Sequence, residues 1–336
     1  MNKWRNYFII LLLLCCSFKL NAQWESPITQ YWVVKGYYNP SYVGIANSIN
    51  TTAIYKYQWA GIEGGPQRIL FTADMPFTLL NKRYGAGIIA YTESIGTLHN
   101  SLFAAQYSFK KQIGKGLLNI GLQAGIYNLN YDPGTVNLTT NLDQNSYSKI
   151  SVNTTKKQTV DISAGISWTA KKFYVGISAL HINQPIFYAS DISNHTVNSS
   201  HYLSNNSLYL NSDSIKSNIP LTFNLTAGYN IPLFYSFEIQ PMMLLLSNGD
   251  YTYTQATVQI KYDKIYSCGF SWISDDGYSI FAGTTMQGFG LGYAYTMHKS
   301  GYGNYSKGSH ELYLKYDFPL YYFKPKSQSH KSIRFL

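Results

Sequence analysis

The strongest constraint in this chain is a two-residue alternation of apolar and polar side chains, repeated in segments about ten residues long. Between Leu118 and Ile126, the residues Leu, Ile, Leu, Ala and Ile fall on one face of an extended strand, and Asn, Gly, Gln and Gly fall on the other. The segments 161–168, 255–262 and 311–318 alternate in the same way. This period indicates β-strands with one apolar and one polar face, so the sequence predicts an all-β protein.

The apolar faces of such strands either pack together in a soluble sandwich or face lipid in a membrane barrel. Two observations favour the barrel. Only 12% of the residues are charged, about half of the roughly 25% that is usual in soluble domains. Aromatic residues also cluster at the ends of the strand-like segments, as in the aromatic girdles of outer-membrane barrels. They include Tyr55, Tyr57, Trp59, Trp168, Phe173, Tyr174, Tyr229, Phe234 and Tyr235.

The pattern predicts an up-and-down barrel of about 14 antiparallel strands, an even number as in bacterial outer-membrane barrels. The connections sort by length. The insertions 129–157 and 183–218 and the loop 299–308 all follow odd-numbered strands, so they would lie at one end. The even-numbered connections are mostly short turns. The predicted strands are 51–60, 66–76, 83–93, 99–111, 116–128, 158–170, 172–182, 219–231, 233–246, 252–263, 264–274, 277–287, 288–298 and 309–319.

The N-terminus resembles a secretory signal. A basic stretch that includes Lys3 and Arg5 precedes an apolar run from Tyr7 to Cys16, which is too short to span a bilayer. We therefore expect residues 1–22 to be removed by cleavage near Ala22.

The chain that remains divides into three parts. Residues 23–50 form an aromatic-rich N-terminal segment, periplasmic or folded into the barrel mouth as a plug. Residues 51–319 form the barrel. Residues 320–336 form a basic tail that contains no acidic residue and would lie in the periplasm. Several short turns are basic as well, and they would form a periplasmic rim near lipid phosphates or an anionic partner.

Motifs of enzymatic chemistry are missing from the sequence. There is no nucleophile-elbow, zinc-protease or phosphate-loop motif in a suitable context. The predicted lumen face carries mainly Asn, Gln, Ser, Thr, Gly and Tyr rather than the charged rings of a diffusion porin. We therefore expect no enzymatic activity, no cofactor and no metal. A membrane-embedded hydrolase would need a Ser/His pair facing lipid at one level, and the sequence shows none.

Three stretches resemble the PorP/SprF family of type IX secretion system outer-membrane proteins of Bacteroidota. The stretch 29–44 contains Thr-Gln-Tyr and then Tyr-Asn-Pro-Ser-Tyr-Val-Gly, and it is similar to the opening of that family. The stretch 57–66 is similar to its Q-W-x-G-x-x-G-A-P motif, and the stretch 308–312 to its closing G-S-H-E strand. The motif residues, expected to be structural or contact residues, are Asn39, Pro40, Gly44, Trp59, Gly61, Gly65, Pro66, Gly308, Ser309, His310 and Glu311.

The resemblance implies an outer-membrane barrel that supports the export or surface attachment of particular cargo, often adhesins, together with the secretion and gliding machinery. Periplasmic ring lipoproteins are the partners expected at the inner side. The outer loops 129–157 and 183–218 would meet cargo, the barrel would contact outer-membrane lipid, and no nucleic-acid partner is expected. The alternative function is a channel or transporter for small or hydrophobic solutes.

Overall fold

The structure is a computed structural model that describes residues 27–131, 135–139, 147–151, 155–188, 216–234 and 236–320. The predicted signal sequence 1–22 lies outside these residues, and so does the predicted basic tail from residue 321 onward. Fourteen antiparallel strands close into a barrel, which confirms the predicted fold class. The first strand pairs with the last, and this pairing closes the sheet.

The barrel strands are β1 (Ser48–Tyr57), β2 (Gln67–Leu79), β3 (Lys82–Ile95), β4 (Leu98–Ile113), β5 (Gly116–Tyr131), β6 (Thr155–Ala170), β7 (Phe173–Leu180), β8 (Thr222–Tyr229), β9 (Phe237–Ser247), β10 (Thr252–Tyr262), β11 (Tyr266–Ile273), β12 (Gly277–Met286), β13 (Phe289–His298) and β14 (Ser309–Pro319). Each of them overlaps one of the predicted strands. The start of β9 differs most from prediction, at Phe237 rather than residue 233, and the preceding Ile231–Pro232 forms a separate two-residue strand that pairs back onto β9.

The two faces of each strand meet different surroundings. On β5, Ile120 and Leu122 are 46% and 57% exposed on the outer face, whereas Asn119 and Gln123 are buried on the inner face. Large apolar side chains are exposed in this way on strands all around the barrel, as lipid-facing residues of an outer-membrane barrel are. The inner face carries the polar and small residues, and it also buries charged side chains. These are Lys56, Arg68, Glu93, Lys110, Asp161 and Glu311.

The antiparallel order gives the barrel two distinct ends. The connections after even-numbered strands, mostly tight turns such as Leu80–Asn81 and Gln287–Gly288, share what we call the short-turn end. The connections after odd-numbered strands share the long-loop end. They include 132–154 and 181–221, so the predicted insertions are slightly trimmed or extended by the observed strand limits. The described parts of these two connections form short antiparallel strand pairs, Thr135–Thr139 with Tyr147–Ser151 and Ile186–Tyr188 with Lys216–Asn218.

Residues 27–47, which we call the inner segment, precede β1 and contain three short helical turns. They are a 3-10 turn at Tyr31–Val33, the helix α1 at Lys35–Tyr38, and a second 3-10 turn at Pro40–Tyr42. Most residues from Ile28 to Val43 are buried, and several of them form the apolar cluster at the centre of the barrel. Within the described ranges, no helix has the length and apolar character needed to cross a membrane.

Candidate functional site: a junction of three motifs inside the barrel

The first anchor of the inner segment is Glu311, on the inner face of β14. Its two carboxylate oxygens accept hydrogen bonds from the backbone N–H groups of Thr29, at 2.7 Å, and Gln30, at 2.8 Å. Glu311 is 2% exposed, and hydrogen bonds to a charged acceptor in such surroundings are stronger than bonds between neutral groups. The first and third motifs are therefore joined directly, although they lie 281 and 282 residues apart in the sequence.

Lys56 completes this anchor from the opposite side of the closing seam. It lies directly across from Glu311 in the β1–β14 ladder, and its ammonium group donates to the carbonyl oxygen of Pro27. On β10, Gln255 donates from Nε2 to the carbonyl oxygen of Thr29 at 2.8 Å. These strand residues lie in the half of the barrel nearer the long-loop end, so the upstream part of the inner segment is held there.

The second motif joins the third at the long-loop end itself. The backbone N–H of Trp59 donates to Ser309 Oγ at 3.0 Å, and the N–H of Ala60 donates to the carbonyl oxygen of Gly308 at 2.8 Å. Trp59 and Gly308 have φ values of +57° and +84°, in the left-handed region that only glycine adopts without cost. Gly61, with φ of +87°, packs against the side chain of Lys307.

The remaining residues of the second motif shape the turn before β2. The carbonyl oxygen of Pro66 accepts the N–H of Gln58 at 2.8 Å. A Cβ on Gly65 would lie 2.7 Å from the carbonyl oxygen of Gln58, so only glycine fits there without a shift of the backbone. These residues shape the connection itself, whereas the backbone of Ala60, which pairs with Lys307 and Gly308, holds it against the loop 299–308.

Ser309 also belongs to a partly buried relay that the sequence did not indicate. His298 Nε2 lies 2.6 Å from Ser309 Oγ, and His298 Nδ1 lies 2.5 Å from an Asp276 carboxylate oxygen. This Asp–His–Ser order is that of a hydrolase triad. Ser309 is only 2% exposed and its Oγ also accepts the Trp59 N–H, so no carbonyl substrate reaches it in this conformation. The relay instead ties the ends of β13 and β14 to the β11–β12 turn.

The first motif lies deeper in the barrel and faces a patch of glycines on β5, β6 and β7. Asn39 caps the second 3-10 turn by accepting the Ser41 N–H at 2.9 Å, and its Nδ2 donates to the carbonyl oxygens of Ile166, at 3.2 Å, and Ile177, at 3.0 Å. A Cβ on Gly121 would lie 2.2 Å from the backbone of Pro40. The segment therefore sits directly on the strand backbone.

Gly44 marks the other end of the inner segment, near the short-turn end. Its N–H donates to an Asp74 carboxylate oxygen at 2.7 Å, and its φ is +64°. Its backbone is so close to Gly85 that a side chain on either residue would clash. The inner segment thus runs through the lumen from Pro27, in the half of the barrel nearer the long-loop end, to Gly44, in the half nearer the short-turn end.

A further buried pair supports the middle of the inner segment. Arg68 donates from Nε and Nη2 to the two carboxylate oxygens of Glu93, at 3.2 and 2.8 Å, and from Nη1 to the Tyr37 hydroxyl at 2.9 Å. A guanidinium group suits such a planar two-point contact. No local sequence signal points to this pair.

His310 is placed differently from its neighbours in the closing motif. It lies on the outer face of β14, where its Nδ1 is 2.6 Å from the Tyr293 hydroxyl and its ring lies 5.3 Å from that of Tyr295. The structure therefore brings Asn39, Gly44 and Glu311 to the inner segment, and Trp59, Gly308 and Ser309 to the loop junction, and it leaves His310 on the lipid-facing side.

The fold and these contacts define a class: an outer-membrane β-barrel whose lumen holds its own N-terminal segment. The chain belongs to the PorP/SprF family of type IX secretion system membrane proteins, since the family model matches residues 20–316. No curated protein shows significant similarity to the chain.

Among solved structures, a FadL homologue of Pseudomonas aeruginosa is similar with a TM-score of 0.45 and 11% identity, over 83% of this chain and 93% of that one. The toluene transporter TbuX of Ralstonia pickettii is similar with a TM-score of 0.44 and 10% identity, over 83% and 92%. The translocator domain of the autotransporter NalP of Neisseria meningitidis has a TM-score of 0.40 and 11% identity, over 80% and 86%.

Proposed function

We propose that this protein is a non-enzymatic component of the type IX secretion system that supports the export or surface attachment of specific cargo proteins, adhesins in particular. Family membership supports a role beside the secretion machinery. The observation that carries the finer proposal is the filled lumen. Hydrogen bonds from strands on all sides hold the inner segment, so the barrel acts as an anchored platform rather than as an open pore.

The two ends of the platform have different roles in this proposal. Short turns face the periplasm in bacterial outer-membrane barrels, so the long-loop end faces outward. The connections predicted as 129–157 and 183–218 are then the surface that meets cargo. The short-turn end meets the periplasmic ring lipoproteins. Its exposed charged side chains are mainly basic and include Lys82, Arg83, Lys111, Lys115, Lys171, Lys172 and Lys264.

The secretome and surface proteome of a deletion strain, measured against the parent, test this function. We expect the loss of one or a few surface proteins, restored by the wild-type gene. Loss of every type IX substrate would instead make the protein a core part of the machine, and an unchanged secretome would contradict the secretion role. Variants that lack either long connection should insert normally and fail only in cargo display.

The alternative is a channel or transporter for small or hydrophobic solutes. The two functions separate in planar bilayers, where the platform should give no steady conductance. Steady conductance by the wild-type protein, together with an unchanged secretome, would favour the channel.

A further inference from the structure

A cavity of about 340 Å³ lies between the inner segment and the strands β6 to β10, and it reaches the short-turn end. Its position follows from its walls, which include the β6–β7 turn at 170–173 and the end of β8 at 228–230. Trp32 and Ile45 of the inner segment form the opposite wall. The volume is within the range of ligand sites in proteins.

The charge of this cavity is entirely positive. Its lining contains four lysines, Lys35, Lys171, Lys172 and Lys261, and no carboxylate, and we call it the lysine cavity. Two carboxylates lie outside the lining. Asp317 forms an ion pair with Lys315 at 3.1 Å, and Glu238 lies across from Lys261 in the β9–β10 ladder, where its charge partly offsets that of Lys261.

Of these four lysines, Lys35 has the positive charge that is least offset by neighbouring groups. Its ammonium group lies 4.3 Å from the ring centroid of Tyr174 and 5.7 Å from that of Tyr42, and no described carboxylate lies within ion-pair distance of it. Burial, together with repulsion from Lys261 and Lys315, lowers the pKa of Lys35 to about 8. An anionic partner stabilises a half-buried cation in such surroundings by a larger interaction free energy than it would an exposed cation.

The arrangement suits an extended ligand with several negative charges. Lys171 and Lys172 are exposed at the rim, whereas Lys35 and Lys261 lie deeper, so the positive charges are spread along the depth of the cavity. Trp32, Tyr174 and Met242 supply apolar wall, and Asn230 and Gln240 supply amide groups. The side chains of Tyr174, Met242 and Lys261 lie on the inner faces of their strands, so a membrane lipid would have to leave the bilayer to reach them. Phe173 and Tyr229, which are also in the walls, are exposed on the outer face.

We propose that the lysine cavity binds an acidic peptide segment of a periplasmic protein that enters from the short-turn end. Its carboxylates pair with the lysines at both depths, and the apolar wall packs against the rest of the segment. This inference rests on the proposed function, which places the short-turn end in the periplasm.

The test uses the full-length protein in detergent micelles and a fluorescent peptide of alternating Asp and Glu, with an Asn/Gln peptide as the neutral control. We expect salt-sensitive binding of the acidic peptide only. Lys35→Gln should weaken it about tenfold or more, as the loss of one partner of a buried charge pair does. Lys264→Gln is the matched control, since Lys264 is exposed at the same end but does not line the cavity, and it should change affinity by less than about threefold.

Two precautions keep the result decisive. The shift in gel mobility between unheated and heated samples of each variant reports whether the barrel is folded. If Lys35→Gln does not fold, the double variant Lys171→Gln and Lys172→Gln on the exposed turn gives a second test. Equal affinity of the folded cavity variants and the wild type would overturn the proposal. If pyrophosphate displaces the bound peptide at a concentration lower than that of the peptide, the proposal is also overturned, in favour of a site for small anions. Because binding is measured on purified protein, its failure is distinct from an unchanged secretome.

Discussion

Glu311→Gln should loosen the inner segment while leaving the barrel closed. The carboxylate accepts two backbone N–H groups, at 2.7 and 2.8 Å, and it lies across the closing seam from the ammonium of Lys56. Glutamine keeps one acceptor oxygen but presents an amide N–H₂ to the second backbone donor, and it leaves Lys56 without its opposite charge. Buried hydrogen bonds to charged groups contribute about 1.5–3 kcal/mol each, so we expect a loss of about 2–4 kcal/mol.

A loss of that size is measurable in two ways. Urea unfolding in lipid vesicles should show the lower free energy of unfolding. The state with a released segment should become roughly 30- to 700-fold more populated, and brief conductance steps in planar bilayers should reveal it. Glu63→Gln is the matched control, because Glu63 is exposed in the β1–β2 connection at the same end. If both variants unfold like the wild type and neither conducts, the Glu311 carboxylate does not hold the inner segment in place.

Three further predictions follow from other contacts. Gly121→Ala places a Cβ 2.2 Å from the backbone of Pro40 and should lower the free energy of unfolding by about 1–3 kcal/mol, whereas Gly290→Ala, with no atom nearer than 3.4 Å, should have little effect in the same urea titration. Ser309→Ala removes the acceptor of the Trp59 N–H, so limited trypsin digestion should cut the loop 299–308 faster than in the wild type. The pKa of Lys35 falls from 10.5 to about 8 on folding, so the unfolded state binds more protons between these values. Lys35 should therefore contribute a rise in the free energy of unfolding with pH across that window, by up to about 1.4 kcal/mol per pH unit, and Lys35→Gln should lower the measured slope by that contribution.

The sequence predicted the strands well because each strand meets two environments that differ sharply. The alternation at Leu118–Ile126 reappears as lipid-facing Ile120 and Leu122 opposite buried Asn119 and Gln123. Strand ends were less predictable. The β5–β6 ladder continues to the pair Tyr131 and Thr155, beyond the predicted limits, because backbone pairing does not stop where the apolar pattern does.

The contacts of the inner segment could not be predicted in this way. Its length and aromatic content marked it as unusual, but the partners of Thr29 and Asn39 lie more than a hundred residues away in the sequence. Glu311 looks locally like any inward polar position of an alternating strand. The relay of His298 and Asp276 was missed for the same reason, since its members come from different connections and strands.

The polar lumen and the inner segment explain each other. A buried polar group needs a hydrogen-bond partner, which water supplies in an open porin. Here Ser178 Oγ and Asn224 Nδ2 both donate to the carbonyl oxygen of Tyr38, at 2.6 and 2.7 Å, and Gln106 Nε2 donates to that of Gly36 at 2.8 Å. The small residues let the segment lie on the strand backbone, and the polar ones satisfy its peptide groups. In the sequence alone, the polar and weakly charged inner face suggests a channel. In this fold, the same residues are complementary to the chain's own N-terminal segment.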